Sequence, residues 1–191
     1  MANRTIGRRG FLVIGVVTTG ALVALYGRCR HTGHEASAPV PTIGLSPLIR
    51  IGTDGIVTVT AVRSEMGQGT VTALAMLVAE ELEVELAHVR IDTERFDPKN
   101  GDQGTTASSS MPDTWEPQRT AGAVARELLV AAAAAAWGIS PDACRAEAGN
   151  VREIGGARVL GYGALVRAAA TLPVPKEVPL KAPSRFRLLG R

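Results

Sequence analysis

Gly67-Gln68-Gly69 places two glycines around an amide just before a helical pattern, and this spacing is the one in the chain best suited to holding a ligand. Glycine lets main chain approach a bound group closely. Unpaired N–H groups at a helix start favour anionic or electron-rich partners. The Gln68 amide both donates and accepts, which suits the edge of a heterocycle or an oxo ligand. The same residues read equally well as a tight turn with a helix cap. A second polar run, Gly101 to Ser110, lies in a long loop from Glu94 to Thr114. Loops of that length in a compact domain are functional or disordered. Ser108, Ser109 and Ser110 offer hydroxyls there, but no strand-to-helix Gly-x-Ser-x-Gly elbow accompanies them, which argues against a serine hydrolase. Glu65 reads as a charged strand-edge residue able to orient the motif. Glu80, Glu81, Glu83 and Glu85 read as a solvated helix end rather than as catalytic carboxylates. His88 lacks a neighbouring nucleophile or acid and reads as a surface or capping residue. Trp115 and Trp137 read as packing anchors. These candidates position a ligand; no catalytic acid or base and no direct metal ligand is assigned.

The elements that must place them follow from periodicity. Leu48–Ile51 and Ile56–Val62 flank Thr53-Asp54-Gly55 and predict a β-hairpin. Val71, Leu74, Ala75, Leu77, Val78 and Leu82 recur at helical spacing across Thr70–Glu83. Val89–Ile91 predicts a short strand. A helix is expected from about Trp115 to Trp137, its six alanines, Ala131–Ala136, allowing close packing. Ser140-Pro141-Asp142 predicts a short helical turn. Cys144–Ala148 and Val151–Ile154 predict a second hairpin around Gly149-Asn150, Arg158–Leu160 a further strand, and Tyr162–Leu172 an amphipathic helix. This order predicts an α+β fold: a two-layer domain of mixed or antiparallel sheet with packed helices, preceded by an N-terminal signal or anchor helix.

The chain has 191 residues, enough for one modest domain and a leader. Its net charge of +3 belongs to the leader. Arg4, Arg8, Arg9, Arg28 and Arg30 fall in the first thirty residues, which hold no acid; the rest carries 16 basic residues against 18 acidic ones. The body therefore lacks the basic surface that nucleic acid requires. Cys29 and Cys144 are too few and too far apart for a disulfide framework, and Cys144 reads as a small buried hydrophobe. Arg8-Arg9-Gly10-Phe11-Leu12 opens an uncharged stretch to Gly27 and resembles a twin-arginine export signal; an ordinary secretory signal or a plain anchor are the other readings. The expected organisation is a signal or anchor over 1–30, a Pro/Ala/Ser/Gly-rich linker over 31–47 with solvated His31 and His34, an α+β domain over 48–172, and a tail over 173–191.

Ser64-Glu65-Met66-Gly67-Gln68-Gly69, with a helix ending Leu77-Val78-Ala79-Glu80-Glu81-Leu82, resembles the molybdopterin-binding region of the xanthine dehydrogenase and aldehyde oxidase family. More narrowly it is similar to the large (beta) subunit of the isoquinoline 1-oxidoreductase type and to related membrane-associated aldehyde dehydrogenases. Gln103-Gly104-Thr105 with Ser108–Ser110, Trp115-Glu116-Pro117 with Arg119, Ala121 and Gly122, and Leu172-Pro173-Val174-Pro175 leading to Phe186–Gly190 fit the same pattern. The resemblance implies a molybdenum atom on a pterin dithiolene, often in a cytosine dinucleotide form, and hydroxylation of an aldehyde or N-heterocycle with oxygen from water. It implies an iron–sulfur small subunit and, in some members, a cytochrome c subunit as partners. Gly67, Gln68 and Gly69 would contact the pterin; Gln103, Gly104, Ser108, Ser109 and Ser110 would form a second cofactor-facing loop. The family pattern places glycine where Ala107 stands. Family large subunits are several times longer and carry a glutamate base with no match here. The expectation is thus an N-terminal portion or split half of such a subunit, inactive alone, completed by the remaining portion, and exported to the periplasm with membrane association through its leader. The alternative is a non-catalytic, membrane-tethered α+β domain that binds a partner protein.

Overall fold

The computed structural model describes residues 40–93 and 97–190. The expected signal or anchor helix over 1–30 and the first part of the expected linker lie outside them. Four strands form the first sheet in the order β1 (Thr42–Ser46), β2 (Ile49–Gly52), β3 (Val57–Thr60), β4 (Val89–Asp92). β1, β2 and β3 pair antiparallel, and β4 runs parallel to β3. A parallel neighbour needs a crossover, which α1 (Thr70–Leu82) supplies. Ile49, Ile51, Val57 and Val59 are buried, so alternation turns one sheet face to the core. Gly55 takes φ +83°, and the Ile56 amide donates to Asp54 Oδ1 at 3.0 Å, closing the predicted hairpin turn. Gly163 lies so close to Thr53 that a Cβ there would sit 2.3 Å from the Thr53 carbonyl oxygen.

Two boundaries differ from the sequence reading. Thr42–Ser46, read as linker, is strand β1, with Leu45 in the core and a bulge between Gly44 and Ser46. The long central helix α2 runs Ser110–Trp137, a turn earlier than expected. It is long and apolar enough to cross a bilayer by length and composition, yet more than half of its most apolar window is buried within the domain. It packs on α1 at Gly122, where an added Cβ would lie 2.9 Å from Glu81 Cβ and 3.0 Å from the Val78 carbonyl oxygen. Glycine is what lets the two backbones approach.

A second, antiparallel sheet holds β5 (Cys144–Glu147), β6 (Asn150–Glu153) and β7 (Val159–Gly161). Its hairpin turn sits at Ala148-Gly149, both with positive φ, one residue before the predicted pair. Cys144 is buried, as expected. α3 (Tyr162–Ala169) buries Tyr162, whose hydroxyl donates to the Leu82 carbonyl at 2.6 Å. Burial pushes this phenol well above its ordinary range.

The tail is part of the domain, and the acidic helix end is not a solvated one. Glu80 and Glu81 are buried. Glu80 accepts from the amides of Arg187 (2.9 Å), Leu188 (2.7 Å) and Leu189 (3.1 Å) and from Lys181 Nζ (2.6 Å). Glu81 accepts from Arg119 Nε (2.8 Å), Arg126 Nη1 (3.2 Å) and the Lys181 amide (2.9 Å). Lys181 also pairs with Glu83 at 2.7 Å. Of the four acids only Glu85 is exposed. Arg119 lies over Trp115 and over Phe186, with centroids 5.5 Å and 5.1 Å away. Trp115 is thus a half-exposed stacking partner rather than a core anchor.

Candidate functional site

β3 ends at Thr60 and the chain leaves the sheet through Ala61, Val62 and Arg63, all buried. The loop Ser64–Gly69 then turns into α1. Gly67 and Gly69 adopt φ +90° and +80°, and a Cβ on either would meet nothing within 4 Å. Their outward faces are open. Their amides are not: Glu65 accepts from Gly67 (2.8 Å) and Gly69 (2.9 Å) with one carboxylate oxygen and from Val71 (3.1 Å) with the other. Glu65 therefore caps α1, whose N-cap residue Gly69 has no side chain to do so. The hydrogen bonds from the Gly69 and Val71 amides hold this carboxyl below the ordinary glutamate range, against a smaller opposing effect of desolvation. The sequence reading offered these amides to a ligand; the structure gives them to Glu65. Gln68 also folds back, accepting from the Met66 amide at 2.5 Å and donating to the Ser64 carbonyl at 2.9 Å. A primary amide has two donors and two lone pairs, so one of each remains.

The second loop meets the first directly. The Ser64 amide donates to Thr105 Oγ1 at 2.9 Å. Ala107 and Ser108 both adopt left-handed backbone, φ 49° and 58°, and the Ser109 amide donates to the Thr106 carbonyl at 3.0 Å. This double kink delivers the chain into α2. Ser109 is the N-cap residue, with no capping bond from its side chain, and Ser110 is the first, buried residue of the helix. A cleft of about 400 Å³ opens between the loops. Met66, Gln68 and Thr70 line one side; Thr105, Thr106, Ala107, Ser108, Ser110 and Met111 line the other. Of the predicted site residues, Gln68, Ser108 and Ser110 thus share one cleft. Gln103 does not join them. Its amide folds onto its own loop, donating to the carbonyls of Asp97 (2.5 Å) and Gly101 (3.4 Å), and it lines a separate cleft with Ala61–Glu65 and Thr93. Gly67, Gly69, Gly104 and Ser109 line neither.

Arg63 is the residue that sequence reasoning missed. It is buried, yet its guanidinium reaches three acceptors: the Gly104 carbonyl, Asp102 at 3.1 Å and Asp113 at 3.4 Å. The Gly104 amide and Arg63 together hold the Asp102 carboxyl below its ordinary range. The available signal was partial. The two-residue period of Val57 and Val59 would reach Arg63 if extended, but Thr60 to Arg63 are all buried, so burial there is not alternating.

Comparison with known proteins adds the following. The chain matches the molybdopterin cofactor-binding domain family over residues 16–188. It is 35% identical over 202 residues to the membrane-bound aldehyde dehydrogenase (pyrroloquinoline-quinone) of Gluconacetobacter polyoxogenes, covering 97% of this chain and 25% of that protein. It is 31% identical to isoquinoline 1-oxidoreductase subunit beta of Brevundimonas diminuta, covering 91% and 23%. Among solved structures, quinoline 2-oxidoreductase of Pseudomonas putida 86 superposes with a TM-score of 0.51 at 26% identity, over 69% of this chain and 17% of that one. The chain spans about a quarter of the length of the curated relatives it matches.

Proposed function

This chain belongs to the molybdopterin cofactor-binding domain family, and from that premise we propose that it supplies one wall of the cofactor site of a molybdenum hydroxylase large subunit. The substrate class is an aldehyde or an N-heterocycle, with water as the oxygen source. The observation that carries this reading is the cleft in which the Gln68 amide faces the Thr105–Ser110 segment. Its chemistry fits a pterin. Gln68 keeps an unspent donor and acceptor for a heterocycle edge, while Met66 and Met111 offer polarisable apolar surface to a flat ring. Thr106, Ser108 and Ser110 present hydroxyls suited to phosphate oxygens, which supports a nucleotide-appended form such as the cytosine dinucleotide. Gly67 and Gly69 leave open space beside Gln68. When bound, the cofactor supplies the two-electron redox chemistry; this chain binds and orients it.

The rest of the site, including a general base and the substrate pocket, belongs in this proposal to further polypeptide of the same large subunit. An iron–sulfur subunit and a cytochrome c would take the electrons. The Arg8-Arg9-Gly10-Phe11-Leu12 segment supports export of the folded protein to the periplasm and association with the membrane there.

The test is metal and pterin analysis of the purified assembly containing this domain. Molybdenum near one equivalent per chain, with pterin fluorescence after oxidation, is expected. Gln68→Leu and Gly67→Val should lower molybdenum content severalfold while the thermal unfolding of the assembly stays cooperative. An assembly free of metal and pterin would replace this reading with a partner-binding domain that keeps the fold alone.

A further inference from the structure

Arg63 makes none of the cofactor contacts proposed above, yet it bonds to the second loop and to the start of α2, the pieces that carry one wall of the cleft. It sits at the exit of β3, one residue before the first loop begins. Its side chain is 2% exposed. Nη1 donates to the Gly104 carbonyl and to Asp102, and Nη2 to Asp113. These acceptors belong to two different pieces: Asp102 and Gly104 to the second loop, Asp113 to the first turn of α2. The neighbouring Ser64 amide adds a parallel tie to Thr105. Nε is buried with no hydrogen-bond partner among the described residues. The placement of the guanidinium follows the three acceptors it spans. An anion site is a poor alternative, because Asp102 and Asp113 already face the cation.

We infer that Arg63 is a positioning residue: its planar fork clamps loop 101–105 and the start of α2 to the end of β3, and so fixes the width of the cleft between Gln68 and Ser110. Its effect on the cofactor rests on the function proposed above; the clamp itself does not. A lysine keeps the charge but presents a compact point donor that cannot span the Gly104 carbonyl and Asp113 together. Charge and geometry can therefore be separated.

The experiment is amide hydrogen exchange on the full chain without cofactor, comparing wild type with Arg63→Met, Arg63→Lys and Asp102→Asn. Arg63→Met should speed exchange across 101–109 at least tenfold while leaving Ala123–Ala134 in the core of α2 unchanged. Arg63→Lys should fall within about threefold of Arg63→Met, and it carries the comparison if the methionine variant does not fold. Asp102→Asn removes the charge of a mostly exposed partner but keeps an oxygen that can accept from Arg63 or the Gly104 amide, so it should stay within about threefold of wild type. Wild-type exchange over 101–109 in Arg63→Met overturns the clamp, and full rescue by lysine replaces it with simple charge compensation. In the assembled enzyme, Arg63→Lys should lower molybdenum content at least threefold. Unchanged content beside a loosened loop refutes the link to the cleft, whereas a wild-type assembly without molybdenum refutes the proposed function and leaves exchange to judge the clamp.

Discussion

Ala107 and Ser108 carry the only two consecutive left-handed residues without a glycine among those described. For an L-residue this conformation costs roughly 1–2 kcal/mol, and glycine escapes that cost at an entropic penalty of about 0.5–1 kcal/mol. Ala107→Gly should therefore raise stability by up to about 1 kcal/mol, read as a higher urea midpoint at unchanged m-value. Ala107→Val should lower it by about 1 kcal/mol or more, because β-branching crowds that backbone further. A lower midpoint for the glycine variant would mean that the kink is not strained. Residue by residue, the site was legible where local spacing decides it. The glycines at 67 and 69 do take the positive φ that favours glycine. What the sequence could not reveal was who uses their amides. Glu65 is two residues from Gly67, close enough to compete with a ligand, and nothing in the spacing says which wins. Gln103 went astray for a related reason: a long flexible amide satisfies itself on nearby carbonyls.

Among the elements, α1 and α2 cross closely at Gly122. An alanine at Gly122 gains about 1 kcal/mol of helix propensity but overpacks the contact with Glu81 and Val78, at about 1–3 kcal/mol. Gly122→Ala should lower Tm, by up to roughly 8 °C in a domain of this size, measured by calorimetry; a higher Tm would mean that the helices part easily. The hairpins, α1, β4 and α3 were legible because their apolar periods are clean. β1 was not, since Pro39, Pro41 and Pro47 give a five-residue strand the composition of a linker. The first turn of α2 was hidden by residues that favour caps, Ser109 and Ser110, and by Pro112. The burial of Glu81 was readable in hindsight: it falls four residues after Leu77 and three after Val78, on the stripe α1 turns inward. Its counter-charges were not, because they come from distant elements.

Across the whole domain, the strap over 177–190 is held by carboxylates, so it should respond to pH. Burial raises the Glu80 carboxyl, but Lys181 and the amides of Leu188, Leu189 and Arg187 outweigh it and hold the group below its ordinary value of 4.5. A depressed folded-state value means that the stabilisation is complete above the unfolded value and is lost as pH falls through the folded one. The protection of the Arg187–Leu189 amides, corrected for the intrinsic pH dependence of exchange, should therefore be constant from neutral pH down to the ordinary glutamate range, begin to fall below it, and be lost only beneath the depressed value. Glu80→Gln should be open at every pH; a wild-type profile in that variant would dismiss the carboxylate as the fastener. The same strap constrains biosynthesis. Glu80 leaves the ribosome about a hundred residues ahead of Lys181 and the amides at 187–189, on which its charge depends. Glu81 can draw on Arg119 and Arg126 sooner, but Glu80 cannot settle in the interior with its partners until Lys181 and residues 187–189 have themselves emerged. The segment that lets α1 settle is thus made about a hundred residues after it, and a nascent chain would keep that helix end hydrated until Leu189 has emerged.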